Sequence, residues 1–113
     1  REDHIAPPTS VWKLTRHLAG PWTFLLAGSG HIAGGGNPPS ANKYQYWTND
    51  GPAESLDAFI AGASEHPGSW WPYWSDWIRE INPEVVPARG KRRPGGRGDR
   101  VIEDAPGRYV KTR

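Results

Sequence analysis

An aspartate at position 3 and a histidine at position 31 are the residues here whose types and spacing suit acid–base chemistry. A histidine can take up a proton near neutral pH, because its reference pKa is about 6.5. A carboxylate beside it can hold one ring tautomer and stabilise the charged form. Together they could draw a proton from a nucleophile. Each residue also has a plainer reading. His31 could be a loop histidine in solvent, and Asp3 a loop-capping aspartate.

The elements around them decide whether they meet. Residues 22–27, Trp-Thr-Phe-Leu-Leu-Ala, form a continuous apolar run of strand length. Such a run suits a strand covered on both faces, as in a parallel sheet. Before it, Thr9 or Ser10 can cap a helix that carries Val11, Leu14 and Leu18 on one stripe and stops at Gly20-Pro21. This reads as half of a βαβ unit whose first strand lies before residue 1. Asp3 and His31 then each follow a strand. Neighbouring strands lie about 4.8 Å apart, so the loops at their carboxyl ends can touch. The glycines of Gly28-Ser29-Gly30 and Gly34-Gly35-Gly36 allow a sharp turn and a close approach.

The order acid, then histidine, with a nucleophile further upstream, is that of α/β-hydrolases. No nucleophile is visible. The chain has no cysteine and no G-x-S-x-G. Ser29 lies on the wrong strand, two residues from His31. The sequence carries two thirds of a triad.

Residues 28–52 read as a long loop, with a turn at Asn49-Asp50-Gly51. Ser55 caps a second helix with Leu56, Phe59, Ile60 and Ala63 on one face, broken by Pro67-Gly68. Ser69 opens a third helix with Trp70, Trp74, Trp77, Ile78 and Ile81 at helical spacing, ended by Asn82-Pro83. Pro72 is tolerated in its first turn. Tryptophans invite a carbohydrate, polymer or nucleic-acid reading, but at this spacing three of them are expected to face a core. With the rest of a domain missing they would form an exposed apolar patch.

Composition narrows the partners. Residues 1–88 hold five basic and nine acidic side chains, and residues 89–100 six and one. The positive excess is one short block, GKRRPGGRGDR, which reads as a solvated flexible segment rather than an RNA-binding surface. Arg97-Gly98-Asp99 is a chance tripeptide. His4, His17 and His66 lack metal-ligand spacing. No apolar stretch approaches the roughly 20 residues of a membrane span. The absence of cysteine suits a reducing, cytoplasmic setting. With 14 glycines and 12 prolines in 113 residues, a self-sufficient core is marginal. The opening Arg1-Glu2-Asp3-His4 reads as a fragment or a processed piece. Residues 1–82 form the first region, 83–104 a flexible Arg/Gly/Pro-rich segment, and 105–113 a C-terminal tail.

REDHIAPP, SGHIAGGGNPP, YWTNDGPAES, HPGSWWPYW and APGRYVK resemble the C-terminal part of class I poly(3-hydroxyalkanoate) synthases. The resemblance runs over nearly the whole chain and is weakest at 83–104. It implies an α/β fold, the last helix–strand unit, histidine loop and Trp-rich helices of an α/β-hydrolase-type domain, incomplete as an independent unit. It implies catalytic roles for Asp3 and His31, with a cysteine nucleophile upstream. The implied substrates are 3-hydroxyacyl-CoA and a growing polyester, with CoA released and no further cofactor. Dimerisation of the complete enzyme and a place at the polyester granule surface follow from the same resemblance. The family usually has bulky aliphatics where this chain has Gly35 and Gly36, and Pro-Trp where it has Pro7-Pro8. Such a chain alone is expected to be inactive. The alternative is a non-catalytic fragment that binds a granule, a partner or nucleic acid through its aromatic helix and Arg/Gly tail.

Overall fold

A computed structural model describes residues 1–87, 100 and 102–112. The chain divides into two compact units, Arg1–Pro83 and Glu84–Arg113.

In the first unit, helix α1 spans Pro8–Trp12 and continues as a 3-10 helix over Lys13–His17. Strand β1 is Leu25–Ala27, helix α2 His31–Gly35 and strand β2 Gln45–Thr48. Helix α3 is Leu56–Ala61, strand β3 Ser64–Pro67 and helix α4 Trp71–Ile81. The three strands form one antiparallel sheet in the order β1-β2-β3. Leu26 pairs with Trp47, and Trp47 with Glu65. The chain is thus a mixture of helices and a small sheet, within the α/β class.

The three strands pair antiparallel, whereas the parallel neighbour expected for the 22–27 run would precede residue 1. Only residues 25–27 are strand, and of these only Leu26 is buried. The run is apolar because its first half joins an aromatic cluster, not because two faces of a strand are covered. The ring of Trp12 meets Trp22 edge-on at 5.9 Å and Phe24 at 4.9 Å, and Phe24 meets Phe59 at 5.1 Å. The expected long loop at 28–52 holds β2. Polar β3, Ser-Glu-His-Pro, also escaped the reading. As an edge strand it needs no apolar alternation and tolerates a terminal proline.

The stripe of Val11, Leu14 and Leu18 is exposed, whereas Trp12 is buried. The stripe assumed one α-helix. After Trp12 the chain tightens to a 3-10 helix, which turns every three residues and rotates the face away. Neither Thr9 nor Ser10 caps α1. The helix begins at Pro8, a favoured first position because proline lacks the N–H that would go unpaired there.

The core consists of Trp12, Leu26, Trp47, Leu56 and Phe59, with Phe24, Ala53 and Ala63 packed against it. Phe59 is its most enclosed side chain, 2% exposed. The expected cap of α3 is present: the Ser55 hydroxyl accepts from the Ala58 N–H at 3.1 Å. The Asn49 turn is present too. Its side-chain oxygen accepts from Gly51 N–H at 2.9 Å, and its amide donates to Phe59 O at 3.0 Å. Ser69 accepts from Trp71 N–H at 3.1 Å at the start of α4. No residue of α4 is buried, and Trp74 is 50% exposed. The expectation that three tryptophans face a core is therefore corrected: Trp70 is half-buried, and Trp71, Trp74 and Trp77 are exposed.

In the second unit, the Glu103 carboxylate accepts from the Arg108 N–H at 3.1 Å, and Tyr109–Lys111 form a 3-10 helix. Apart from Arg100, the Arg/Gly block read as flexible lies outside the described residues.

Candidate active site

Strand β1 ends at Ala27, and the chain turns through Gly28-Ser29-Gly30 into α2, whose first residue is His31. Gly28 N–H donates to Gln45 O at 2.7 Å. A Cβ on Gly28 would sit 2.6 Å from that same oxygen, so the close approach of β2 requires glycine here. The left-handed residue of the turn is not a glycine but Ser29, at φ 76°. A non-glycine residue held there stores strain, a recurrent feature of functional turns.

The opening residues lie alongside this turn. Arg1 donates from its backbone nitrogen to Ala27 O, and Glu2 N–H donates to Ser29 O at 3.2 Å. The two bonds advance in the same direction on both segments. Asp3 is thereby delivered to the loop after β1. Its Oδ2 lies 2.7 Å from His31 Nδ1, across 28 residues of sequence. Asp3 Oδ1 accepts from the backbone N–H groups of Ile5 at 2.9 Å and Ala6 at 2.8 Å. Asp3 is both of the things its sequence context permitted: one oxygen ties its own loop, the other holds the histidine.

The electrostatics follow from those bonds. The Ala6 N–H, then the His31 ring and the Ile5 N–H, hold the Asp3 carboxyl down to about 2, against the opposing effect of desolvation. Asp3 is therefore ionised at neutral pH. An anionic carboxylate only accepts, so Nδ1 carries the ring proton and Nε2 keeps its lone pair. Nε2 has no hydrogen bond among the described residues, and the His31 side chain is 46% exposed.

A cavity of about 200 Å³ opens on Asp3 and His31, with Arg1, Ala6, Val11 and Ser29 in its wall. Beside it lies an apolar groove of about 430 Å³ bounded by Trp70, Tyr73, Trp74 and Trp77. Leu25, Ala27, Gly34 and Gly35 line both. Two tryptophans read only as core candidates or polymer contacts reach the histidine's helix. Trp70 Nε1–H donates to Gly34 O at 2.8 Å, and Trp71 Nε1–H to Gly35 O at 2.9 Å. The Trp-Trp pair after a Pro-Gly turn was the available signal, but spacing alone does not say where an indole N–H points.

The other histidine placed by a strand has a structural partner. His66 Nε2 lies 2.8 Å from the Thr48 hydroxyl, and Tyr46 stacks on its ring. Among the described residues, no group of three His, Cys, Asp or Glu could hold a metal ion. No described helix is long and apolar enough to cross a membrane.

The site thus defines a mixed α/β protein segment with a carboxylate–imidazole pair at the end of a strand. No family model matches the chain. Over its whole length it is 46% identical to the poly(3-hydroxyalkanoate) polymerase subunit PhaC of Rhizobium meliloti, spanning 18% of that protein. It is 48% identical, over 117 aligned residues, to the subunit of the same name in Cupriavidus necator, spanning 19% of it. Poly(3-hydroxyalkanoate) polymerase 2 of Ectopseudomonas oleovorans is 35% identical over 98% of this chain. The chain is a segment of the poly(3-hydroxyalkanoate) polymerase family and spans about a fifth of the length of these curated relatives.

Proposed function

We propose that this chain is the C-terminal part of the α/β-hydrolase-type catalytic domain of a polyester synthase and supplies its aspartate and histidine. Residues 1–82 belong to that domain in this reading, and 83–104 lead to a tail at 105–113. The observation that carries the reading is the 2.7 Å bond from His31 Nδ1 to Asp3, which leaves Nε2 open to a reactant.

The chemistry is acyl transfer from a 3-hydroxyacyl-CoA. The nucleophile is a cysteine thiol from another part of the polymerase, since this sequence has no cysteine. His31 Nε2 takes the thiol proton, and the thiolate attacks the thioester carbonyl. The tetrahedral intermediate collapses, the carbon–sulfur bond to CoA breaks, and the leaving thiolate takes the proton back from Nε2. In the second half, the 3-hydroxyl of another unit gives its proton to Nε2 and attacks the acyl-enzyme. The carbon–sulfur bond to the cysteine breaks, the cysteine thiolate takes the proton back from Nε2, and the chain has grown by one ester. Asp3, ionised throughout, holds the ring and stabilises the imidazolium each time it forms. The working place is the cytoplasmic surface of a polyester granule, with a dimer of the complete enzyme as the active form.

The test is to splice residues 1–113 into the Cupriavidus necator relative in place of its matching segment and to follow CoA release. Turnover is expected in the splice and is expected to fall by about 10²–10⁴ on His31→Ala, the usual contribution of a positioned base. Full turnover in the His31→Ala splice would overturn the assignment. The pure 113-residue chain is expected to release no CoA, and steady release by it would show that its nucleophile has been misplaced.

The exposed aromatic face of α4 favours a second reading, a module that binds a granule by that face without catalysis. Retention on polyester granules by the chain alone, lost on Trp74→Ala, distinguishes it.

A further inference from the structure

The helix that begins with His31 has little of its own to hold it. α2 is five residues long, far shorter than an isolated helix needs to persist in water. Two of its five residues are Gly34 and Gly35, and glycine is the poorest helix former after proline. Its N-cap is Gly30, with no side-chain acceptor, and its last turn has no basic residue. Gly34 cannot be exchanged for a better helix former without strain, because a Cβ there would meet Gly28 O at 3.2 Å.

The last carbonyls of any helix lack partners within it. In α2 two of them are taken by neighbouring indoles arriving from 36 residues away: Trp70 Nε1–H on Gly34 O and Trp71 Nε1–H on Gly35 O. The donors are themselves anchored. Gly68 N–H donates to Tyr44 O at 2.8 Å beside β2, and Ser69 Oγ holds the Trp71 N–H. Trp70 is also wedged edge-on against Trp74 at 5.9 Å. A rigid pair of donors therefore grips the far end of a helix whose near end presents the imidazole.

We propose that Trp70 and Trp71 are positioning residues for His31: their indole N–H groups fix α2 and thereby hold the imidazole against Asp3. This rests on the reading of His31 as the base. The position of the ring is a property of this chain alone, however, and can be read without activity.

The experiment is imidazole-nitrogen NMR on the full 113-residue chain. It is run on the unsubstituted protein, on Trp70→Phe and Trp71→Phe, and on a double replacement by benzothienylalanine. The last keeps the ring's shape and removes only the N–H donors. The unsubstituted chain is expected to show His31 almost wholly with its proton on Nδ1. In the variants the population with the proton on Nε2 is expected to rise several-fold, while the amide signals of the Ser55 cap and of β2–β3 stay in place. An unchanged tautomer population in the double benzothienyl variant would overturn the proposal. So would unfolding of that isosteric variant, because the donors would then be holding the fold rather than the ring. Absence of the Nδ1–H form in the unsubstituted chain would overturn it too. Failure of the polymerase reading looks different: the tautomer shift is seen, yet the spliced enzyme keeps its turnover after His31→Ala.

Discussion

The chain has two aromatic clusters, and they are built in opposite ways. Around Phe59, the rings of Trp12, Trp22 and Phe24 meet edge-to-face and close over one another. At the start of and along α4, Trp70 and Trp74 touch edge-on, but Trp74, Trp77 and Ile81 stay exposed, the two tryptophans along the open groove. The residue types are similar. The difference is where the opposing surface comes from. The centre of the first cluster, Trp12 and Phe59, is covered by α1, β1 and α3 of the same unit and is buried within the chain, while Trp22 at its rim stays exposed. The second frames the groove beside Asp3 and His31, and its useful contacts within this chain are the polar tips of Trp70 and Trp71. An aromatic stripe at helical spacing reports that a surface is to be covered, not that the same segment covers it.

The comparison breaks most directly at Phe59. Phe59→Ala should remove about 3–5 kcal/mol, the usual loss for a buried phenylalanine. In so small a unit, a denaturant melt should show most of the cooperative transition gone. Ser55→Ala, which frees the α3 helix that carries Phe59, should cost about 1 kcal/mol. A clear fall in the denaturant midpoint without a change of slope would record it. Ile81→Ala, at the open end of α4, should stay within about 0.5 kcal/mol in this chain. In the spliced polymerase the same change should cost measurably more if other parts of the enzyme cover α4. An equal and negligible effect in both would mean that the face stays open.

The smallest effect expected is on the site itself, through pH. The Asp3 carboxyl is held down to about 2, below its unfolded value of 3.8. Its contribution to stability is therefore complete above about pH 4 and is lost as pH falls through about 2. The Ile5 and Ala6 amide shifts, which report on Asp3 Oδ1, should titrate together with a midpoint near 2. A midpoint near 4 would mean that the loop bonds are not formed in solution.

Much of the site was legible because it depends on residue type and order. Asp3 and His31, the strand before the histidine, the Ser55 cap and the Asn49 turn all follow from local chemistry, where neighbouring residues supply the hydrogen bonds. The errors have one common cause. The antiparallel β2 and β3, the exposed stripe of Val11, Leu14 and Leu18 and the uncovered α4 all depend on which surfaces meet across the chain. Periodicity says that a face is apolar, and it does not say what stands opposite. The same holds for Gly28, whose need for glycine is set by an oxygen of β2 rather than by its own turn angle.

The sequence by itself determined the candidate pair and the chemistry open to it, because an imidazole and a carboxylate carry their proton affinities with them. It also determined the likeness to polyester polymerases, carried by ordered motifs. Only the tertiary structure decided that Asp3 reaches His31 at 2.7 Å with one oxygen while tying its own loop with the other. Only it revealed that two indoles grip the glycine-rich helix behind the ring. Hydrogen bonds have direction and short reach, and residues 28 or 36 positions apart acquire both only once the chain has folded.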